Sequence, residues 1–133
     1  NVLKDVYKTD VYALARWRNR NVPKLGLGPA GVCVPETTIQ RPPSAELAED
    51  QLDRDNLPDY AALDPLLRIL VDGHGAPADA VAAGHDPTLA GQVAALLDRA
   101  EYKRRQAAPG VKITGMLFNR DRRVPITSAW RAA

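Results

Sequence analysis

At 133 residues, 45% of them apolar, the chain has room for one domain with a modest core, or for one piece of a larger domain. No apolar run approaches the roughly 18 residues that a membrane-spanning helix needs. No basic, apolar and small-residue order opens the chain as a secretory signal does, and one cysteine, Cys33, excludes an internal disulfide and any multi-cysteine zinc site.

The expectation is therefore a protein of the cytoplasm with no membrane partner. Net charge is +2, but residues 1–43 carry seven Lys/Arg against three acids, 44–98 two against eleven, and 99–133 nine against two. Two basic ends flanking an acidic middle suit either a polyanion site or internal charge pairing. The sequence enters "NVLKDVYKTDVYALARWRNR" with no lead-in strand or turn, and the expectation is a segment of a longer protein.

In chain order, Thr9 is placed to cap a helix through Arg20, with Val11, Leu14 and Ala15 forming its buried face and Tyr12 and Trp17 completing the packing. Residues 21–43, rich in Gly and Pro, read as a connector with a short strand near "GVCV". "RPPSAELAEDQLDRDNLPDY", residues 41–60, has neither helical nor strand periodicity. A second helix is expected over roughly Tyr60 to Asp72, where Leu63, Leu66, Leu67 and Leu70 recur at helical spacing. Pro65 interrupts it: either Asp64 caps a shorter helix with Pro65 in its first position, or the helix bends. Pro77 opens a short helix that Gly84 closes, and Asp86-Pro87 is a cap followed by a first-turn proline. The third main helix, about Pro87 to Arg104, sets Leu89, Val93, Leu96, Leu97 and Ala100 on one face and ends in "EYKRR", whose cations complement the helix C-terminus. From Ala107 onward the sequence reads as an extended tail laid across something larger.

Several groups could carry chemistry. Glu46, Glu49, Asp50, Asp53, Asp55 and Asp59 could hold Mg²⁺, accept hydrogen bonds from a ribose or an amine, or simply solvate a loop. Pro42-Pro43 restricts the backbone ahead of the Ser44 hydroxyl. "EYKRRQ" and "NRDRR" could bind the phosphates of a nucleotide or nucleic acid, or else complement a helix end and pair with the acidic middle. With aromatics at only 5%, a stacking platform for single strands is disfavoured. His74 and His85, beside glycines or turns and without an HExxH pattern, read as structural; Cys33 reads as a small buried residue. GxxxxGK[ST] does not occur.

In this order and spacing, "DVYKTDVYALARWRN", "RPPSAEL", "DQLDRDNLPDY..LD", "EYKRRQAAPGVKIT" and "DRRVPIT" resemble the C-terminal part of the synthase domain of glutamine-hydrolysing NAD⁺ synthases. The likeness runs from Val6 to Trp130. The ammonia-only branch has a shorter, threonine-containing loop and a His-Lys pair where this chain has Tyr102-Lys103, which favours the glutamine-using branch. The resemblance implies an α/β fold of which residues 1–133 are the C-terminal, mostly helical portion: a Rossmann-like ATP-pyrophosphatase domain of the adenine nucleotide alpha hydrolase-like type. It implies a ligase that adenylates the nicotinate carboxylate of deamido-NAD⁺ with ATP and Mg²⁺, after which ammonia derived from glutamine displaces AMP. Residues 41–60 become the loop that covers bound substrates, and 107–133 the extended tail.

By the same resemblance, Lys8 and Ser44 contact ATP, and Lys103, with Tyr102 beside it, contacts deamido-NAD⁺. Asp55, in preference to Asp53, faces the amide-forming centre. No metal ligand is assigned within the chain, and Mg²⁺ is expected to be held by residues outside it. A homo-oligomer is expected, without nucleic acid or membrane as partner. Arg41 stands where the family pattern has Lys, Asn119 where it has Gly, and Pro65 in a helix usually free of proline. The family's "SGGxDS" phosphate loop and its glutaminase domain have no counterpart among these residues, so the 133 residues alone are expected to be inactive. Two other readings remain: a truncated paralogue serving as an interaction module, and a basic nucleic-acid binder.

Overall fold

The computed structural model describes residues 1–42, 57–117 and 121–126. It divides into two compact units, one made of Asn1–Val6 with Ala61–Ala133 and the other of Tyr7–Tyr60. Helices dominate, and no strand occurs among the described residues.

In the Tyr7–Tyr60 unit, α1 spans Lys8–Arg20 and α2 spans Glu36–Gln40. Tyr7, not Thr9, is the N-cap of α1, and its side chain makes no capping hydrogen bond; Thr9 lies inside the first turn. The expected buried face is absent. Val11, Tyr12 and Ala15 are half-buried, while Leu14 and Trp17 are 49% and 46% exposed. Periodicity marked the apolar stripe correctly but could not supply a partner for it, and among the described residues of this unit only Ile39 is buried.

The strand expected at "GVCV" is replaced by bends whose polar groups are taken by a side chain. Asn19 Oδ1 accepts from Cys33 N–H (2.8 Å) and Val34 N–H (2.9 Å), while Asn19 Nδ2 donates to Val34 C=O (2.7 Å). One amide thus does for Val34 what a neighbouring strand would do. Cys33 is exposed, contrary to its reading as a buried residue.

The other unit holds the main core. α3 spans Tyr60–Leu67 with Pro65 inside it and runs on into a π-helical turn, Arg68–Asp72. Asp64 is therefore an interior residue, buried at 2% exposure, and does not start a shorter helix. Pro65 is exposed and has no N–H to give to the helix ladder. The widened last turn closes through Gly73 N–H to Arg68 C=O and Gly75 N–H to Ile69 C=O, both 2.9 Å. A Cβ on Gly75 would stand 2.9 Å from the Ile69 oxygen, so this close approach requires glycine.

α4 (Pro77–Ala82) and α5 (Pro87–Arg99) form where the local signals put them. Gly84, at φ +94°, ends α4 with paired bonds from Gly84 N–H to Val81 C=O (2.9 Å) and His85 N–H to Ala80 C=O (3.0 Å). Asp86 Oδ1 accepts from Leu89 N–H at 2.7 Å, with Pro87 in the first turn. Ala80 and Ala90 are wholly buried, and such small side chains let α4 and α5 pack closely. Leu63, Leu66, Leu70, Val71, Val93, Met116 and Leu117 complete the buried apolar set of this unit. Each fully buried side chain of this size contributes about 1.5–3 kcal/mol.

The long helix expected to reach Arg104 breaks at Ala100, after which α6 occupies Glu101–Gln106. After α6 the described residues form neither helix nor strand, and part of this stretch is held by the chain's own first residues. The amino terminus donates to Pro109 C=O at 2.8 Å, Lys4 Nζ donates to Ala108 C=O, and Asp5 Oδ2 accepts from Ile113 N–H (2.7 Å) and Thr114 N–H (2.8 Å). The Thr114 hydroxyl shares its proton between Asp5 Oδ2 (3.0 Å) and Met116 C=O (2.7 Å).

Candidate functional site

α6 is built around a carboxylate turned inward. Glu101 and Arg104, 2% and 6% exposed, form an ion pair one turn apart, and Arg105 Nε donates to Glu101 Oε1 at 3.1 Å. Arg105 Nη2 also donates to Val124 C=O at 2.7 Å. Burial pushes the Glu101 carboxyl up, but the hydrogen bonds from Arg104 and Arg105, with the Arg104 charge, outweigh it and hold the group below the usual carboxylate range. With 101 and 104 anchored, the neighbouring positions 102 and 103 face outward, so Tyr102 and Lys103 are exposed side by side, Tyr102 at 46%. No ion pair found among the described residues uses Lys103. A phenol beside an ammonium on one helix turn offers a hydrogen-bonding ring and a mobile point charge, chemistry that suits a phosphate-bearing aromatic ligand.

Lys8 belongs to the other unit, in the first turn of α1. It is half-buried, and its ammonium stands 5.5 Å from the centroid of the Tyr12 ring one turn on. A cation at this end of a 13-residue helix adds to the positive helix end, a combination that repels itself and attracts an anion. Ser44 and Asp55 lie outside the described residues, as do Glu46, Glu49, Asp50, Asp53 and Asn119. Tyr102 and Lys103 are thus brought together, and Lys8 stands in a separate unit from them.

The two basic clusters resolve differently from their sequence appearance. In "EYKRRQ", Arg104 and Arg105 are spent on Glu101, leaving Lys103 outward. In "NRDRR", Arg122 pairs with Asp98 of α5 at 3.5 Å and Arg123 is likewise engaged. Arg122–Asp98 realises the pairing between basic end and acidic middle, and the nucleic-acid reading finds no supporting observation among the described residues. No group of three or more His, Cys, Asp or Glu gathers among the described residues. His85 sits in the turn that ends α4 and His74 takes φ +52° after the π-helical turn.

Sequence reasoning missed Asp5 and Glu101. Asp5 heads the quoted "DVYKTDVY", but its partners are more than a hundred residues away and no local spacing announces them. Glu101 was detectable: a Glu followed by Arg at i+3 and i+4 is the spacing of a helical ion pair.

The sequence model of the NAD synthase family matches residues 1–107, and the chain belongs to that family. Among its members it is similar to the glutamine-dependent NAD(+) synthetase of Rhodobacter capsulatus, 44% identical over 131 residues, which takes in 98% of this chain and 24% of that protein. The enzyme of the same name from Acinetobacter baylyi is 46% identical over 130 residues, 98% of this chain and 23% of that protein. Among solved structures, the glutamine-dependent NAD+ synthetase from Acinetobacter baumannii in complex with ADP shares 38% identity, with a TM-score of 0.55 over 98% of this chain and 21% of that one. The chain spans less than a quarter of the length of these relatives.

Proposed function

We propose that this chain contributes to the site at which deamido-NAD⁺ is amidated to NAD⁺ at the expense of ATP, within a glutamine-dependent synthase. The observation that carries the reading is the outward Tyr102-Lys103 pair on α6, in a chain 38–46% identical to glutamine-dependent NAD⁺ synthetases along nearly all its length. Tyr102 and Lys103 hold deamido-NAD⁺. Lys8, at the positive end of α1, takes the ATP phosphates, and Ser44 joins it from the 41–60 loop. A nicotinate carboxylate oxygen attacks the α-phosphorus of ATP, and the bond to pyrophosphate breaks. Lys8 offsets charge that grows on the leaving group. Ammonia, supplied by glutamine hydrolysis, then adds through its lone pair to the acyl carbon; AMP departs with the C–O electrons and the nitrogen gives up a proton. Asp55 faces this second centre, and closure of the 41–60 loop keeps water from the adenylate. Mg²⁺ held by residues beyond this chain would supply further charge neutralisation.

The test is a chimaera in which the 130 aligned residues of the Acinetobacter baylyi relative are replaced by this chain. Lys103→Ala should raise KM for deamido-NAD⁺ by about tenfold or more with KM for ATP little changed, and Lys8→Ala should do the reverse. Equal, small effects of both variants on both substrates would overturn the assignment.

A further inference from the structure

One side chain of α6 bridges a buried carboxylate and the main chain of the tail. Arg105 Nη2 donates to the Val124 C=O at 2.7 Å while its Nε donates to Glu101 Oε1 at 3.1 Å. Two residues earlier, Arg122 reaches Asp98 of α5 at 3.5 Å, so the tail is fastened to both helices on either side of the break at Ala100. α6 has only six residues, too few to be stable through its own hydrogen bonds, and needs tertiary contacts to persist. The grip on Val124 is among the contacts that supply them, and it acts on the same helical turn that carries Tyr102 and Lys103.

We propose that Arg105, acting with Glu101, is a positioning residue: by clamping the main chain of Val124 to α6 it fixes the direction in which Tyr102 and Lys103 are presented to deamido-NAD⁺. This rests on the assignment of Lys103 to that substrate. Guanidinium shape is essential to the role. Its fork serves Glu101 and the Val124 carbonyl at once, whereas a lysine ammonium on a flexible stem holds one of them in place of the other. Arg105 is half-exposed and can be changed without opening the core, and the buried Glu101–Arg104 pair remains when it is removed.

The clamp and a direct contact with substrate make opposite forecasts for Arg105→Lys. In the chimaera, Arg105→Gln and Arg105→Lys should both raise KM for deamido-NAD⁺ by roughly tenfold, the size of one charged hydrogen bond lost from positioning, with KM for ATP unchanged. In the 133-residue chain itself, both variants should speed hydrogen exchange of the Val124 amide by about the same factor, since the Val124 main chain is what Arg105 pins to α6. Rescue by Arg105→Lys would mean that a bare positive charge suffices and would overturn the clamp. So would a Val124 amide that exchanges no faster in the variants than in the parent chain. If Lys103→Ala leaves KM for deamido-NAD⁺ unchanged, the assignment of Lys103 fails and this proposal with it; if Lys103→Ala raises KM and both Arg105 variants do not, the clamp alone fails.

Discussion

One oxygen of Asp5 holds two backbone N–H groups and shares a hydroxyl proton, all on residues 113 and 114. The group is 6% exposed, so each of these bonds replaces one the carboxylate would have made to water. Hydrogen bonds to a charged group are worth about 1.5–3 kcal/mol each where they are well formed, and the donors left behind by a truncation add a desolvation cost. Asp5→Ala should therefore lower the stability of the Asn1–Val6 and Ala61–Ala133 unit by about 2–3 kcal/mol, and Asp5→Asn, which keeps an acceptor but not the charge, by less. Urea unfolding checks this, and equal midpoints for Asp5→Ala and the parent would contradict it. At this scale legibility depends on distance along the chain. The bonds at Asp86 and Gly84 span three to five residues and could be read from the sequence, whereas nothing around Asp5 announces partners at 113 and 114.

Among the elements, the same device appears twice. Asn19 serves both the N–H and C=O of Val34, and Arg105 serves the C=O of Val124. Irregular segments whose backbone groups would otherwise need a sheet partner are completed by side chains from a helix, which is why "GVCV" looked like a strand and is none. The break at Ala100 was illegible for a related reason. Apolar spacing continues smoothly through residues 96, 97 and 100, and the interruption is coupled to contacts with a distant tail. The α6 network also carries a pH signature. Its glutamate is held below the ordinary carboxylate range, and a group whose pKa is lowered by folding stabilises the fold above its unfolded pKa, about 4.3 for Glu. That contribution is lost as pH falls through the lowered folded value. Asp121, lowered by hydrogen bonds from Lys112 and the Leu117 N–H, acts in the same sense. The urea-midpoint difference between the parent chain and Glu101→Gln should thus be largest near neutrality and shrink below about pH 4. A difference that stays constant from neutral to strongly acid pH would show that charge on Glu101 is irrelevant to the latch.

For the molecule as a whole, 45% apolar composition promised more core than the described residues form. Leu25 and Leu27 are 98% and 100% exposed, Val32 is 73% exposed, and the apolar stripe of α1 is half open. Composition counts apolar residues without saying what covers them, and this chain spans less than a quarter of its relatives. The family was legible because its motifs are short, specific and local, above all "EYKRRQ". The geometry that turns Lys103 outward was not, because it depends on what Glu101, Arg104 and Arg105 do behind it. No helix among the described residues is long and apolar enough to cross a membrane. The central claim, that these residues form a working part of a deamido-NAD⁺ amidating site, is tested most directly by NAD⁺ formation from deamido-NAD⁺, ATP and ammonia. The Acinetobacter baylyi chimaera should retain turnover within about tenfold of its parent, while the 133 residues alone give none. A chimaera that folds and binds ATP yet makes no NAD⁺, or NAD⁺ made by the 133 residues alone, would contradict it.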